Sequence, residues 1–157
     1  MTSLADLAAS RASRTLRPGE LLITQGDTGG DLFVLIDGEL AVERDSVPVA
    51  TIATSGALVG EMSVLLGSSN SATVRAVGNA TVKVIENARD ALMADGALAF
   101  SLAALVAGRL DATTALLVDL SRSNPSSAEQ GLLARILSAI HLPGSAEFEV
   151  TRHDLFR

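Results

Sequence analysis

Cysteine is absent from all 157 residues, which excludes disulfides, thiolate metal sites and iron–sulfur clusters. Histidine occurs only at His141 and His153, too sparsely for a histidine-built metal or haem site. Tryptophan and tyrosine are missing, and aromatics make up 3% of the chain, so the core must be aliphatic. Cations are outnumbered, leaving a net charge of -6, and that balance disfavours a sequence-independent grip on nucleic acid. No apolar run reaches about 18 residues without a charge, and the N-terminus lacks a signal-peptide pattern. The expectation is a soluble, cytoplasmic protein without membrane contact. What remains is rich in aliphatic residues: hydrophobic side chains make up 48%. That content and length suit one domain of roughly 100–150 residues with a short appendage.

Short apolar stretches separated by turn residues fill the first half. A capping start at Ser3-Leu4-Ala5-Asp6 predicts a short helix to about Ser10. Pro18-Gly19 turns into a strand at 20–24, and the glycine-rich stretch 26–31 reads as a loop. Residues 32–36 (LFVLI) read as a buried strand. Asp37-Gly38 predicts a type I′ hairpin turn, with positive φ at both central residues. Residues 39–44 alternate and return as its partner; Asp45-Ser46 turns again into a strand at 47–52, and 81–85 adds one more. Such a succession favours an antiparallel barrel or jelly roll over a parallel sheet.

Residues 60–76 (GEMSVLLGSSNSATVRA) carry the chemistry. Gly60-Glu61 ends an extended run with a flexible corner and a carboxylate, and residues 62–66 suffice for about one helical turn, which Gly67 can end. Ser68-Ser69-Asn70-Ser71 is a loop of small donors leading into a strand. A helix start beside a small-residue loop aims backbone N–H groups at one point, which suits an anion. Glu61 adds an acceptor for hydroxyls, so the combination favours a sugar joined to a phosphate. Strand alternation puts Ala72, Val74 and Ala76 inward and turns Arg75 away from them.

From 97 to 120 the apolar period becomes helical. Ala99, Ala103, Val106, Leu110, Thr113, Leu117 and Leu120 recur at steps of four and three, a heptad seam through which two helices pair. Asn124-Pro125 stops this helix. Ser127-Ala128-Glu129-Gln130 reads as a capping box for another, through about Ile140. An extended stretch at 147–150 and a helix start at 151–155 follow. The expected organisation is a barrel over 1–96, a dimerisation helix over 97–122, and a helix with an extended tail over 123–157.

The stretch 60–76 resembles the phosphate-binding cassette of cyclic-nucleotide-binding domains of the catabolite activator (CRP/FNR) family. Gly60, Glu61 and Met62 match its first half, and Ser71, Ala72, Val74 and Ala76 its second. Asn70 stands where that family carries the arginine that pairs with the cyclic phosphate. The order Pro-Gly-Glu, Gly-Asp, Leu-Phe-Val-Leu, Asp-Gly-Glu-Leu is similar to the family's barrel over residues 14–85. The resemblance implies a mainly β fold with flanking helices, an antiparallel jelly-roll barrel followed by a long dimerisation helix. It implies binding of cyclic AMP or cyclic GMP, with Glu61 on the ribose 2′-hydroxyl and Ser71 and the Ala72 N–H on the phosphate. Thr113 and Thr114 resemble the pair that contacts adenine from both subunits; the alternative is a threonine bonding back to its own helix. Arg109 can approach the ribose side and pair with Glu61.

Residues 123–157 resemble the entry to that family's winged helix-turn-helix domain, yet include no recognition helix, so this chain alone is expected not to bind DNA. Three functions compete: a dimeric sensor passing occupancy to a downstream protein, a dimeric scaffold without ligand, and a shortened transcription regulator. An enzyme fits worst. No positioned histidine, thiol or metal set accompanies Glu61 and Asp111.

Overall fold

The structure, a computed structural model, describes residues 8–123 together with 126, 129–132 and 136. The chain divides into two compact units, Met1–Ala104 and Leu105–Arg157. The first holds eight strands: β1 (Ser13–Leu16), β2 (Leu21–Ile23), β3 (Leu32–Asp37), β4 (Leu40–Arg44), β5 (Val47–Ile52), β6 (Leu58–Val59), β7 (Thr73–Ala76) and β8 (Ala80–Ile85). Helix α1 (Glu61–Leu66) sits between β6 and β7, and α2 (Ala88–Ala94) follows β8. The long helix α3 (Gly96–Arg122) begins in the first unit and continues into the second.

The strands form two antiparallel four-stranded sheets, ordered β1-β8-β3-β6 and β2-β7-β4-β5, the jelly-roll arrangement the turn spacing predicts. Alternation explains which side chains meet between the sheets. On β7, Val74 and Ala76 are buried while Thr73 and Arg75 are half-buried on the other face. Arg75 is committed there to Glu43 of β4, at 2.8 Å. Leu16, Leu35, Leu40 and Val82 are fully enclosed in the core, which is aliphatic apart from Phe33. Leu98 and Leu102 of α3 are also fully buried.

Two turn expectations shift. Asp37 closes β3, and only Gly38 is left-handed, at φ 92°. A side chain at Gly38 would run into the Asn79 carbonyl and Ala80, so glycine is needed for space as well as for φ. The turn with two left-handed residues lies instead at Asp45 (φ 51°) and Ser46 (φ 65°), joining Arg44 and Val47 across the β4–β5 hairpin. Short polar side chains tolerate that conformation better than most.

Two elements exceed the expectation, β1 and α2 (Ala88–Ala94), while β6 is the extended run expected to end at Gly60. Strand β1 reads Ser-Arg-Thr-Leu and shows no period. Glu20 secures the turn after β1. The Arg17 N–H (3.0 Å) and the Arg14 guanidinium (3.1 Å) donate to its carboxylate and hold its pKa below the usual range.

The N-terminal helix expectation lies mostly outside the described residues; Ala8 and Ala9 are helical. In the second unit Ser126 and Glu129 form the capping box. The Glu129 carboxylate accepts from the Ser126 N–H (2.7 Å) and hydroxyl (2.6 Å). The box therefore starts one residue before the predicted Ser127, because Ser126 places a carboxylate three residues on. Asn124-Pro125 and residues 137–157 lie outside the described residues.

Leu35 is fully buried in the core on a strand that carries no candidate site residue, so Leu35→Ala probes the core's contribution. It should lower unfolding stability by about 2–5 kcal/mol, read as a lower urea midpoint at unchanged slope.

Candidate functional site

The cassette crosses from one sheet to the other. It leaves β6, which pairs with β3 through Val59↔Phe33, and enters β7, which pairs with β4 through Thr73↔Glu43. Because β3 starts and β4 ends at the same end of the sandwich, the crossing closes that end. The loop of residues 24–31, the Asp45-Ser46 turn and the corner at Glu86-Asn87 gather there as well. Gln25 ties three of these pieces together. Its N–H donates to Thr73 Oγ1 (3.0 Å), its side-chain amide donates to Asp45 Oδ1 (2.7 Å), and its Oε1 accepts from the Asp45 N–H (2.9 Å).

Gly60 is the hinge of the crossing. Its φ is 94°, and a Cβ there would lie 2.6 Å from the Asp31 carbonyl oxygen. The close approach that glycine permits is thus to the neighbouring loop of the same chain. Glu61 opens α1 and is only 9% exposed. Ser63, 4% exposed, donates its hydroxyl to Gly60 O (3.0 Å). Gly67 ends the helix at φ 61°, as its sequence position predicts, and its N–H with that of Ser68 (3.2 Å) donates to Ser63 O. Met62 is exposed, so its side chain faces away from the helix's buried edge.

Asn70 belongs to the loop contacts. Its N–H donates to Asp27 O (2.9 Å), its carbonyl accepts from the Gly26 N–H (2.9 Å), and its side-chain amide donates to Thr24 O (3.4 Å). Gly29 presses against Ser63 and against Asn70 Oδ1, and any side chain there would collide with Ser63. Ser71 and Ala72 are half-buried and lead directly into β7.

Two cavities share the wall formed by Thr28, Gly29 and Gly30. The larger, about 420 Å³, opens toward Arg14, Asn70, Phe33, Asp27, Asp31 and Glu86. Three carboxylates against one guanidinium, itself paired with Glu20, make it inhospitable to a phosphate. The smaller, about 310 Å³, is bordered by Ser63, Ser68, Ser69 and Arg89. Neither takes in Glu61, Ser71 or Ala72. Arg89, on a helix too short to be seen in the pattern, is a cation beside the cassette that no spacing rule points to.

Arg109, Thr113 and Thr114 lie on α3 in the second unit. The Thr113 hydroxyl donates to Arg109 O (2.8 Å) and that of Thr114 to Leu110 O (2.9 Å). Both hydroxyl protons are spent on the helix, so each oxygen retains acceptor capacity alone. Such oxygens match an exocyclic amine.

Several solved structures share this architecture. The N-terminal domain of a transcriptional regulator from Streptomyces coelicolor A3(2) is similar at 27% identity and TM-score 0.54, over 69% of this chain and 82% of that one. The cAMP-bound fragment PfPKA-R (141–441) is similar at 22% identity and TM-score 0.59, over 74% of this chain. The regulatory domain of Toxoplasma gondii PKA, crystallised with cAMP, is similar at 19% identity and TM-score 0.53, over 63% of this chain. The last two share the fold, and this chain spans 39% and 38% of their lengths. A comparison with curated proteins finds no match. The family profile described as "Cyclic nucleotide-binding domain" matches residues 13–95, from β1 through the end of α2 and over more than half of the chain, and the chain belongs to that family.

Proposed function

We propose that this chain is a regulatory module that binds a cyclic nucleotide, cyclic AMP in preference to cyclic GMP, through a cassette altered at its phosphate position. The observation that carries this reading is the intact crossing: left-handed Gly60, near-buried Glu61 at the head of α1, and Ser71-Ala72 at the mouth of β7. Glu61 supplies an acceptor for a ribose hydroxyl, and Ser71 with the Ala72 N–H supplies donors for the phosphate. The alteration is Asn70, a neutral amide engaged with Thr24. A charged hydrogen bond contributes roughly 1.5–3 kcal/mol, so its absence weakens binding about ten- to a hundredfold or more. By their chemistry alone, the acceptor-only oxygens of Thr113 and Thr114 match an amino group such as that of adenine. No catalytic role is proposed.

Calorimetric titration of the full chain tests this directly. Cyclic AMP should bind measurably and more tightly than cyclic GMP, and Glu61→Ala should weaken cyclic AMP at least tenfold. A folded chain giving no heat at millimolar cyclic AMP would favour a dimeric scaffold without ligand.

The same reading includes a homodimer through α3. Leu110 and Leu120 of the heptad seam are exposed, where the seam needs a partner. By length and composition α3 is also able to cross a membrane, but Arg109 and Asp111 at its midpoint would be costly in hydrocarbon. Light scattering should report twice the chain mass at tens of micromolar. Leu110→Asp, which puts a charge into the seam, should report the single mass; a monomeric wild type contradicts the dimer.

A further inference from the structure

We propose that the smaller cavity, between the cassette loop and α2, is a separate binding site for a tetrahedral phosphate oxyanion, with Arg89 as its cation. Arg89 has no hydrogen-bond or ion-pair partner among the described residues. Its guanidinium lies over Gly67, where a Cβ would sit 2.8 Å from Nη1, so the bare backbone of Gly67 gives it room. The hydroxyls of Thr28 and Ser69 border the same cavity as the guanidinium, together with that of Ser68, which donates to Ser69 O at 3.2 Å. No carboxylate lines it. The contrast with the neighbouring cavity is sharp. Across the wall of Thr28, Gly29 and Gly30, Asp27, Asp31 and Glu86 repel an anion. On this side a planar fork of donors with hydroxyls around it suits phosphate oxygens. At the carbonyl end of α1, the Gly67 and Ser68 N–H groups both donate to Ser63 O. At about 310 Å³ the cavity is at the small end of ligand clefts, suited to a phosphate group rather than a whole nucleotide.

The site stands apart from the cassette, since Glu61, Ser71 and Ala72 do not line it, and it does not rest on the cyclic-nucleotide reading. Its test is nuclear magnetic resonance titration of the isotope-labelled full chain with sodium phosphate, against sodium chloride at equal ionic strength. The amides of Thr28, Gly29, Ser68 and Ser69 and the Arg89 side chain should shift saturably with phosphate only. Arg89→Gln should weaken binding at least tenfold, Arg89→Lys should fall between, and Arg122→Gln, exposed on the second unit, should bind like wild type. O-phosphoserine titrated alongside distinguishes the sources: tighter binding of the monoester assigns the site to phosphorylated ligands, equal binding to the free ion. Cyclic AMP affinity should be the same in Arg89→Gln as in wild type. Shifts linear to the highest concentration, or Arg89→Gln binding phosphate as wild type does, would overturn the site. A cyclic AMP affinity that falls with Arg89→Gln would overturn its separateness.

Discussion

A chain that leaves one sheet and must enter the other at the same end of a sandwich has little room to turn. Here the turn is made by Gly60 against the Asp31 carbonyl and by Gly29 against Ser63. Both are backbone approaches that any larger residue would block. They fix α1 against the loop of residues 24–31, and that in turn fixes where Glu61, Ser71 and Ala72 stand. Gln25 adds the third tie, holding β7 and the Asp45-Ser46 turn together. Close packing and neutral hydrogen bonds therefore set much of the functional end.

That construction separates shape from charge. Because backbone packing holds the cassette, the position of Asn70 can lose its cation without the fold losing its form. Asn70 then serves the loop, through Thr24, Gly26 and Asp27. Arg89 stands beside the cassette loop, and carboxylates collect on the far side of the Gly29-Gly30 wall. One loop thus divides an acidic cavity from a basic one.

The sequence made the sheets legible wherever apolar residues alternated or ran together. The run at β3 and the alternation of β7 report burial directly, whereas the heptad of α3 is exposed or half-buried and the residues that helix buries are Leu98 and Leu102. Gly60 and Gly67 were readable because positive φ selects glycine. Strand β1 was not readable: its pairing energy comes from β8, and three polar residues before Leu16 leave no period. The two-residue turn was misplaced because Asp-Gly is the stronger signal, whereas the hairpin register at Arg44↔Val47 gave the double left-handed turn to Asp45-Ser46. At the site, residue types were readable and side-chain directions were not. Nothing in the order Ser-Asn-Ser says that Asn70 bonds back to Thr24, or that a residue on α2 reaches Gly67. Such contacts join segments about 20 to 50 residues apart, beyond the reach of any local pattern.

The central claim is that this cassette keeps its sugar contacts and has lost its charged grip on phosphate. Competition between cyclic AMP and adenosine for the full wild-type chain isolates that loss, because the two ligands share base and ribose ring and differ in the phosphate. With only neutral donors from Ser71 and the Ala72 N–H left to meet it, the phosphate should add less than about tenfold to affinity, on the order of one ordinary hydrogen bond. A preference for cyclic AMP of about a thousandfold would mean that a charged partner holds the phosphate after all, and would contradict this account.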